Sequence, residues 1–215
     1  MKLALFDLDH TLIPFDSGMA WMGFAASRGL LPPQAEAEYL AWCQRYVAGA
    51  VDIQALHRGL VQPLACFTLA ELAPWLVQFE AEMAPRLPAD MRALVERHRA
   101  AGDLCAIVTA TTRLIAEPFA RAFGVPHLVA TEAQAVAGSL TGEIAGEPCA
   151  RQHKLARVEQ WLAGQGSCLA AFERSWFYSD SASDLPLLSA VSHPVAVRPD
   201  DRLRRHAEQA GWPVW

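Results

Sequence analysis

Short apolar runs alternate with helix-length stretches through most of the chain. Residues 2–6 show too little alternation for a half-exposed strand and predict a short strand buried on both faces. Similar runs predict further strands at 104–108, 128–130, 176–178 and 194–197. Helical patterns lie between them, at 88–101, 112–123, 152–163 and 184–190. This order predicts a doubly wound, Rossmann-like α/β fold with a parallel sheet, whose ligand site lies beyond the carboxyl ends of the strands.

The interval from 15 to 86 interrupts this alternation. It contains helical patterns and no convincing strand, with helices expected at 17–28, 34–48, 53–62 and 69–83. We interpret it as an all-helical insertion. A short hairpin is expected at 135–144, where turn-forming glycines lie between apolar positions.

Composition narrows the choice of partners. The chain has 215 residues, 53% hydrophobic and 19% charged, which is typical of a globular protein. Its net charge of −5, without a basic run, argues against nucleic acid and anionic membranes as partners. No segment reaches the ~20 apolar residues of a spanning helix, and the N-terminus lacks a signal-peptide pattern. We expect a cytoplasmic protein that acts on a small molecule, and the sequence leaves its oligomeric state open.

The cysteines give a further indication of compartment. There are five of them, widely spaced and without a C-x-x-C motif. Such a set favours buried thiols in a reducing compartment over a disulfide framework or a metal site. These residues are Cys43, Cys66, Cys105, Cys149 and Cys168.

Pairs of acidic residues follow two of the predicted strands. Asp7 and Asp9 come directly after the first strand, and in an extended segment their side chains point the same way. Asp180 and Asp184 follow the strand at 176–178. Capping of a turn or helix would explain either pair alone. Together, four carboxylates at the ends of two strands suit a hard cation such as Mg²⁺, which prefers oxygen ligands.

Two further residues have an ordinary and a functional interpretation. Thr109 ends the predicted strand 104–108 at the mouth of the next helix, where hydroxyls and free amides make a phosphate site. Helix capping explains it equally well. Lys154 lies at the start of a predicted helix and alone would be interpreted as a solvated lysine.

In combination, these motifs resemble those of the haloacid-dehalogenase-type phosphohydrolases, and within them the phosphoserine-phosphatase-like branch. The order is Asp7-x-Asp9-x-Thr11, then Thr109, Lys154 and Asp180-x-x-x-Asp184. The helical insertion is similar to the small cap that such enzymes place over the pocket. The resemblance covers essentially the whole chain. It implies a helical cap at 15–86 and an α/β catalytic core formed by 1–14 and 87–215.

The resemblance implies a Mg²⁺-dependent phosphatase with covalent catalysis. Asp7 would be the nucleophile that becomes an aspartyl phosphate. Asp9 would protonate the leaving alkoxide and then deprotonate the attacking water. Thr109 and the Ala110 amide would bind phosphoryl oxygens, and Lys154 would neutralise the charge that Asp7 shares with the phosphate.

The resemblance also implies the metal ligands. Mg²⁺ would be held by the carboxylates of Asp7 and Asp180 and by the main-chain carbonyl of Asp9. Asp184 would support this set through water or through Lys154.

The substrate is less constrained, because the neighbours of the motifs depart from those of phosphoserine phosphatases. His10 replaces the usual Ser, and Thr109-Ala110-Thr111 replaces Ser-Gly-Gly. By analogy we favour histidinol phosphate over phosphoserine. An ammonium on such a substrate would pair with a carboxylate from the cap. The candidate contacts are Asp16, Arg45, Asp52, His57 and Arg58 in the cap and Ser183 in the core.

Two alternative functions stay open. A phosphotransferase would share the covalent intermediate and differ only in the acceptor that competes with water. A non-enzymatic phospho-accepting switch of the receiver type also surrounds an aspartate with acids, a threonine and a lysine. Such a switch needs only about 120 residues and no cap. A dehalogenase is disfavoured, because those members of the superfamily lack the second acid of the first motif.

Overall fold

The computed structural model describes all 215 residues. The strands are β1 (Lys2–Phe6), β2 (Leu104–Thr112), β3 (His127–Val136), β4 (Ser139–Ala145), β5 (Arg174–Ser179) and β6 (His193–Ala196). The first five helices are α1 (Ser17–Ser27), α2 (Ala35–Val47), α3 (Ile53–Val61), α4 (Leu69–Met83) and α5 (Ala89–Ala100). The remaining helices are α6 (Arg113–Phe123), α7 (Gln152–Gly164), α8 (Leu185–Leu188) and α9 (Asp201–Ala210).

All six strands form one sheet, in the order β4-β3-β2-β1-β5-β6. Five strands are parallel, and β4 is added antiparallel to β3 at one edge. The central strand β1 pairs on one side with β2 and on the other with β5, so that Leu5 lies between Ala106 and Phe177. The predicted doubly wound α/β class is confirmed. Because the carboxyl ends of β1, β2 and β5 meet at one edge, the motifs that follow these strands lie together.

Helices cover both faces of the sheet, which explains the continuous apolar run of β1. Alternate residues of β1 point to opposite faces. Ala4 and Phe6 join one hydrophobic cluster with helices α1 to α6, whereas Leu3 and Leu5 join another with α7, α8 and α9. A strand buried on both faces therefore needs no polar alternation.

The helices of the insertion have clear start signals. The side chains of Asp16 and Asp52 accept hydrogen bonds from the first turns of α1 and α3. Thr68 and Glu71 form a reciprocal capping box at the start of α4. These caps explain why the helical pattern of the insertion was readable from sequence.

Aromatic side chains join the insertion to the α/β core. Trp21 of α1 packs edge-on against Phe79 of α4, with ring centroids 5.3 Å apart. Phe79 in turn packs edge-on against Phe119 of α6, at 5.5 Å. All three side chains are fully buried. The insertion thus shares one continuous core with the sheet.

Several elements differ from the sequence prediction. Strand β2 extends to Thr112, four residues beyond the predicted end, through an irregular stretch that carries a register shift against β3. The hairpin is present, but its turn is Ala137-Gly138, so Ser139–Ala145 form strand β4. Helix α9 was not predicted at all. It is strongly amphipathic but mostly polar, and Asp200 caps its first turn.

The cysteine prediction was only partly right. All five cysteines are free, as expected. Cys105 and Cys149 are buried, but Cys66 and Cys168 are exposed, because they lie in short connections between helical segments and not in the core. None of the helices combines the length and apolar character needed to cross a bilayer.

The packing of α2 on α3 makes a testable prediction about two helical glycines. A Cβ added at Gly59 of α3 would lie 2.7 Å from the Trp42 ring of α2, whereas one added at Gly164 of α7 would meet no atom within 4 Å. We expect Gly59→Ala to lower the free energy of unfolding by about 1–3 kcal/mol. Gly164→Ala, the matched control, should raise it slightly or leave it unchanged. Chemical denaturation measures both, and equal effects would contradict the close α2–α3 contact.

Candidate active site

A cavity of about 370 Å³ opens where β1, β2 and β5 end. Its floor is polar and comes from the sheet and the start of α7, while its walls come from α2 and α3. The floor residues are Asp7, Asp9, His10, Thr109, Ala110, Thr111, Ala150, Arg151, Lys154, Asp180, Ser181, Ser183 and Asp184. The insertion contributes Asp16, Tyr39, Tyr46, Val47, Ile53, Leu56, His57 and Leu60.

Asp7 occupies the centre of the floor and is held from two sides. Its amide donates to the carbonyl of Tyr178 in β5, which fixes the backbone directly after β1. Lys154 Nζ donates to one carboxylate oxygen at 2.9 Å, and the Thr11 hydroxyl lies 3.3 Å from the other. Burial raises the pKa of Asp7 to about 6, although the Lys154 ammonium opposes this shift.

Lys154 is itself shared between two acids. It lies in the first turn of α7 and is only 3% exposed. Its ammonium donates to Asp7 and also to Asp184, at 2.6 Å from Oδ2. Burial alone would lower the pKa of Lys154, but Asp184 and Asp7 together hold it above its usual value. The Ser179 hydroxyl also donates to Asp184 and completes the support of this buried carboxylate.

Asp9 is fixed by donors from the insertion and from β2. The amide of Ser17, at the start of α1, donates to Oδ1 at 2.7 Å. The Thr111 hydroxyl donates to Oδ2 at 2.6 Å. Burial and the nearby Asp16 carboxylate raise the pKa of Asp9 to about 6, while these two donors oppose the shift. The carboxyl group is therefore close to the pKa that suits acid–base work near neutral pH.

The Asp180 carboxylate converges on that of Asp7. The Thr11 hydroxyl lies 3.1 Å from Asp180 Oδ1 as well as 3.3 Å from Asp7 Oδ2, so it bridges the two acids. Burial and the charge of Asp7 raise the pKa of Asp180 to about 7. Asp180 follows β5 directly and Asp184 ends a short 3-10 turn, so the two acids reach the floor from different local structures.

This donor set fits a divalent cation. Four carboxylates enter the floor, and the Lys154 ammonium bonds to two of them, Asp7 and Asp184. No group of three His, Cys, Asp or Glu side chains is arranged to hold a metal ion by itself, so any cation here needs further ligands. Mg²⁺ binds through one or two carboxylates and keeps several waters, so Asp7 and Asp180 with one carbonyl would suit it.

Thr109 lies on the floor but not at a helix mouth. It is buried within β2, and its hydroxyl accepts a hydrogen bond from the Thr111 amide at 3.1 Å. The Ala110 carbonyl accepts from Thr131 of β3. Helix α6 starts at Arg113, one residue after the predicted start at 112, and the difference from the prediction is that β2 continues through Thr109 to Thr112. The strand runs on because its last residues still pair with β3.

The candidate substrate contacts divide into two groups. Asp16, His57 and Ser183 line the cavity. The other three do not. Arg45 is exposed and stacks on Trp42, Arg58 pairs with Glu143 of β4, and Asp52 caps α3. The predicted roles of Arg45 and Arg58 therefore have no support, because helix periodicity turns both side chains outward.

His57 is the most unusual of the contacts that line the cavity. It is 4% exposed, and neither ring nitrogen has a hydrogen-bond partner. Burial lowers its pKa to about 4, so the imidazole is neutral at neutral pH. Buried polar groups without a partner are costly and uncommon in proteins.

Some residues of the site were not assigned by sequence reasoning. Ser17 and Thr111 hold Asp9, and the guanidinium of Arg198 contacts the main-chain carbonyls of His10 and Thr11. No sequence motif marks Ser17 or Arg198. For Thr111 the available signal was its place in the cluster of threonines that follows the second strand.

Comparison with known proteins decides the family. The model of the haloacid dehalogenase-like hydrolases matches residues 4–189. The chain belongs to this family. The resemblance drawn from the motifs is therefore confirmed, and the matched range includes every motif residue of the haloacid dehalogenase-like site.

Individual proteins are also similar to this chain. The chain is 38% identical to a histidinol-phosphatase of Neisseria meningitidis serogroup C (strain 8013), over 99% of this chain and 97% of the relative. It is 44% identical to a solved structure of a protein of unknown function from Bordetella pertussis Tohama I, with a TM-score of 0.93 and coverage of 99% and 97%. A phosphoserine phosphatase solved as an analogue of its phospho-aspartyl intermediate shares the fold, at 18% identity, a TM-score of 0.65 and coverage of 95% and 90%.

The raised carboxyl pKa values of this haloacid dehalogenase-like site predict an unusual pH dependence of stability. With a folded-state pKa of about 7 against 3.8 for the ordinary group, folded Asp180 holds a proton that the unfolded chain has released. Without a cation, stability should therefore fall as pH rises from about 4 to about 7. At pH 7.5 we expect the free energy of unfolding of Asp180→Asn to be higher than that of the wild type by on the order of 1–3 kcal/mol. At pH 5 this gap should be smaller.

Denaturant unfolding in the presence of a chelator measures this gap. Asp90→Asn is the control, because it removes an exposed carboxylate from the first turn of α5 and should not stabilise the protein at pH 7.5. An Asp180→Asn protein less stable than the wild type at pH 7.5 would contradict the electrostatic account.

Proposed function

We propose that the protein is a Mg²⁺-dependent phosphatase that hydrolyses a small amino-alcohol phosphate, histidinol phosphate in particular, through an aspartyl phosphate on Asp7. Its class, a phosphoric monoester hydrolase of the haloacid dehalogenase type, follows from the family and from the phosphatases among its relatives. The metal, the covalent intermediate and the substrate are the proposed parts.

The observation that carries the mechanism is the arrangement of Asp7 between Lys154 and Thr11, with Asp9 two residues further on. Lys154 and Thr11 orient the Asp7 carboxylate, so that its attack needs little reorganisation. Asp9 lies on the same cavity floor and carries a proton part of the time near neutral pH. A nucleophile and an acid–base group then act on opposite sides of one phosphoryl transfer.

The reaction follows in two displacements. An Asp7 oxygen forms a bond to phosphorus while the bond from phosphorus to the substrate's alkoxide oxygen breaks, and Asp9 gives its proton to that oxygen. Asp9 then takes a proton from water, whose oxygen attacks phosphorus and releases Asp7 and inorganic phosphate. Thr109 and the Ala110 amide bind phosphoryl oxygens, and Lys154 balances the negative charge that Asp7 gains with the phosphate.

Mg²⁺ would be held by the Asp7 and Asp180 carboxylates and the Asp9 carbonyl. When bound, it supplies positive charge that offsets the repulsion between the phosphate and these acids. Asp184 acts on this set indirectly, because its contacts are to Lys154 and Ser179.

The proposal for the substrate rests on the cavity walls and on the similarity to a histidinol-phosphatase. Asp16 offers a carboxylate to an ammonium. His57 is neutral and lacks a partner, so after rotation of its ring it offers one donor and one acceptor to an uncharged polar group. Val47, Ile53 and Leu60 give the walls an apolar character that suits a flat ring. Phosphoserine carries a carboxylate that histidinol phosphate lacks, and this group would bring like charge towards Asp16.

The alternatives are less well supported. A receiver-type switch needs no covering helices, whereas here α2 and α3 wall the cavity. A phosphotransferase would share the covalent intermediate with the proposed phosphatase, but the relatives named for an activity are phosphatases.

Replacement of the nucleophile tests the covalent mechanism. We expect Asp7→Asn to lower kcat on histidinol phosphate by at least about 10³-fold, because no carboxylate is left to accept the phosphoryl group. Rapid quenching and mass spectrometry should find the phosphoryl group on Asp7 in the wild type and not in the variant.

Asp90→Asn is the matched control and should keep full activity. Circular dichroism checks the fold of both variants. Undiminished turnover by Asp7→Asn, with mass spectrometry showing that the new Asn has not deamidated, would exclude the mechanism.

Removal of the His57 imidazole tests the substrate. We expect His57→Leu to lower kcat/KM for histidinol phosphate about 10-fold or more, because the substrate loses a hydrogen bond. Turnover of p-nitrophenyl phosphate, which has no such group, should stay within about 2-fold. Stability should not fall, since the change removes a buried group that has no partner.

Gln54→Leu, on the exposed face of the same helix, provides the control and should change neither rate. Equal losses on both substrates together with a lower melting temperature would show that His57 only supports the packing of α3.

A further inference from the structure

The Thr111 hydroxyl occupies a position that neither the family motif nor helix capping explains. It donates to Asp9 Oδ2 at 2.6 Å and lies 3.0 Å from the Ser17 hydroxyl. Because its own proton goes to Asp9, its oxygen accepts the proton of Ser17. A directed chain of hydrogen bonds therefore runs from the start of the insertion, through β2, to one carboxyl group.

Capping of α6 does not account for this threonine. Helix α6 starts at Arg113, and its N-cap residue is Thr112, whose side chain makes no capping bond. The Thr112 hydroxyl is fully buried and has no partner. Of these two adjacent buried threonines, only Thr111 bonds to the proposed acid.

The backbone and the side chain of Thr111 are both held. Its amide donates to the Thr109 hydroxyl at 3.1 Å, which ties it to the proposed phosphate-binding segment. Its side chain is ordered by Ser17, whose amide also donates to Asp9 Oδ1. Each carboxyl oxygen of Asp9 then has one fixed donor, and one lone pair on each stays free to carry a proton towards a leaving group.

We infer that Thr111 is a positioning residue for Asp9, and that with Ser17 it fixes the orientation in which Asp9 gives and takes its proton. The inference rests on the proposed acid–base role of Asp9. A carboxyl group that can rotate spends less time in the reactive orientation. Rotation of Asp9 would therefore slow the steps that need proton transfer.

The test compares substrates that need the acid with one that needs it less. Thr111→Val keeps the shape of the side chain and removes its hydroxyl. We expect it to lower kcat on histidinol phosphate about 10-fold or more, but by less than removal of a complete acid–base group, which typically costs ~10²–10⁴-fold. KM should change little. Turnover of p-nitrophenyl phosphate, whose leaving group needs little protonation, should fall less. Thr111→Ser should recover most of the lost rate.

Thr112→Val is the matched control, because it removes a neighbouring buried hydroxyl that has no bond to lose. It should keep both rates and the melting temperature. In an Asp9→Asn background, Thr111→Val should have no further effect on histidinol phosphate, because the group that it positions is already absent. Ser17→Ala leaves Thr111 in place and serves as a second variant if Thr111→Val does not fold.

Each result bears on one claim. Equal losses on both substrates, no recovery by Thr111→Ser, or the same effect from Thr112→Val would overturn the positioning role. A wild-type protein that hydrolyses no alkyl phosphate while its fold is intact would instead overturn the proposed function.

Discussion

The site depends on one buried ammonium shared between two buried carboxylates. Lys154 reaches the floor of the cavity from the first turn of α7 and joins Asp7 after β1 to Asp184 after β5. Removal of one partner of a buried ion pair typically costs about 3–5 kcal/mol, because the other charge is left without compensation. The positions of α7, β1 and β5 are therefore tied together at the point where the chemistry is proposed. The remaining acids add negative charge that this single ammonium does not balance, and so the same place suits a cation.

The sheet and its motifs could be read from sequence because their physical signals are local. Strand β1 is buried on both faces, so it appears as an unbroken apolar run, and Asp7 follows it directly. The end of β2 was misplaced because threonines favour strands and helix caps alike. Helix α9 was missed because only two of its ten residues are buried, Leu203 and Ala207, which leaves little apolar pattern to detect.

Contacts between the insertion and the core were harder to predict. Arg45, His57 and Arg58 lie within fourteen positions of one another, yet only His57 faces the cavity, and this follows from how α2 and α3 pack. Ser17 and Thr111 are 94 positions apart and meet only in the folded chain. Sequence patterns report which face of a helix is apolar but not which part of that face borders a cavity, so such residues become visible only in three dimensions.

The aromatic contacts from Trp21 through Phe79 to Phe119 bear on how such a protein can change over evolution. The larger hydrophobic cluster, 35 buried residues, runs without a break through the insertion and the sheet. Helices α1 and α4 are therefore not an exchangeable module, because a graft from another family member would have to match α6 as well. Helices α2 and α3 carry fewer of these shared contacts and wall the cavity. New specificities are then expected to arise by substitutions on α2 and α3, while α1 and α4 stay bound to the ancestral core.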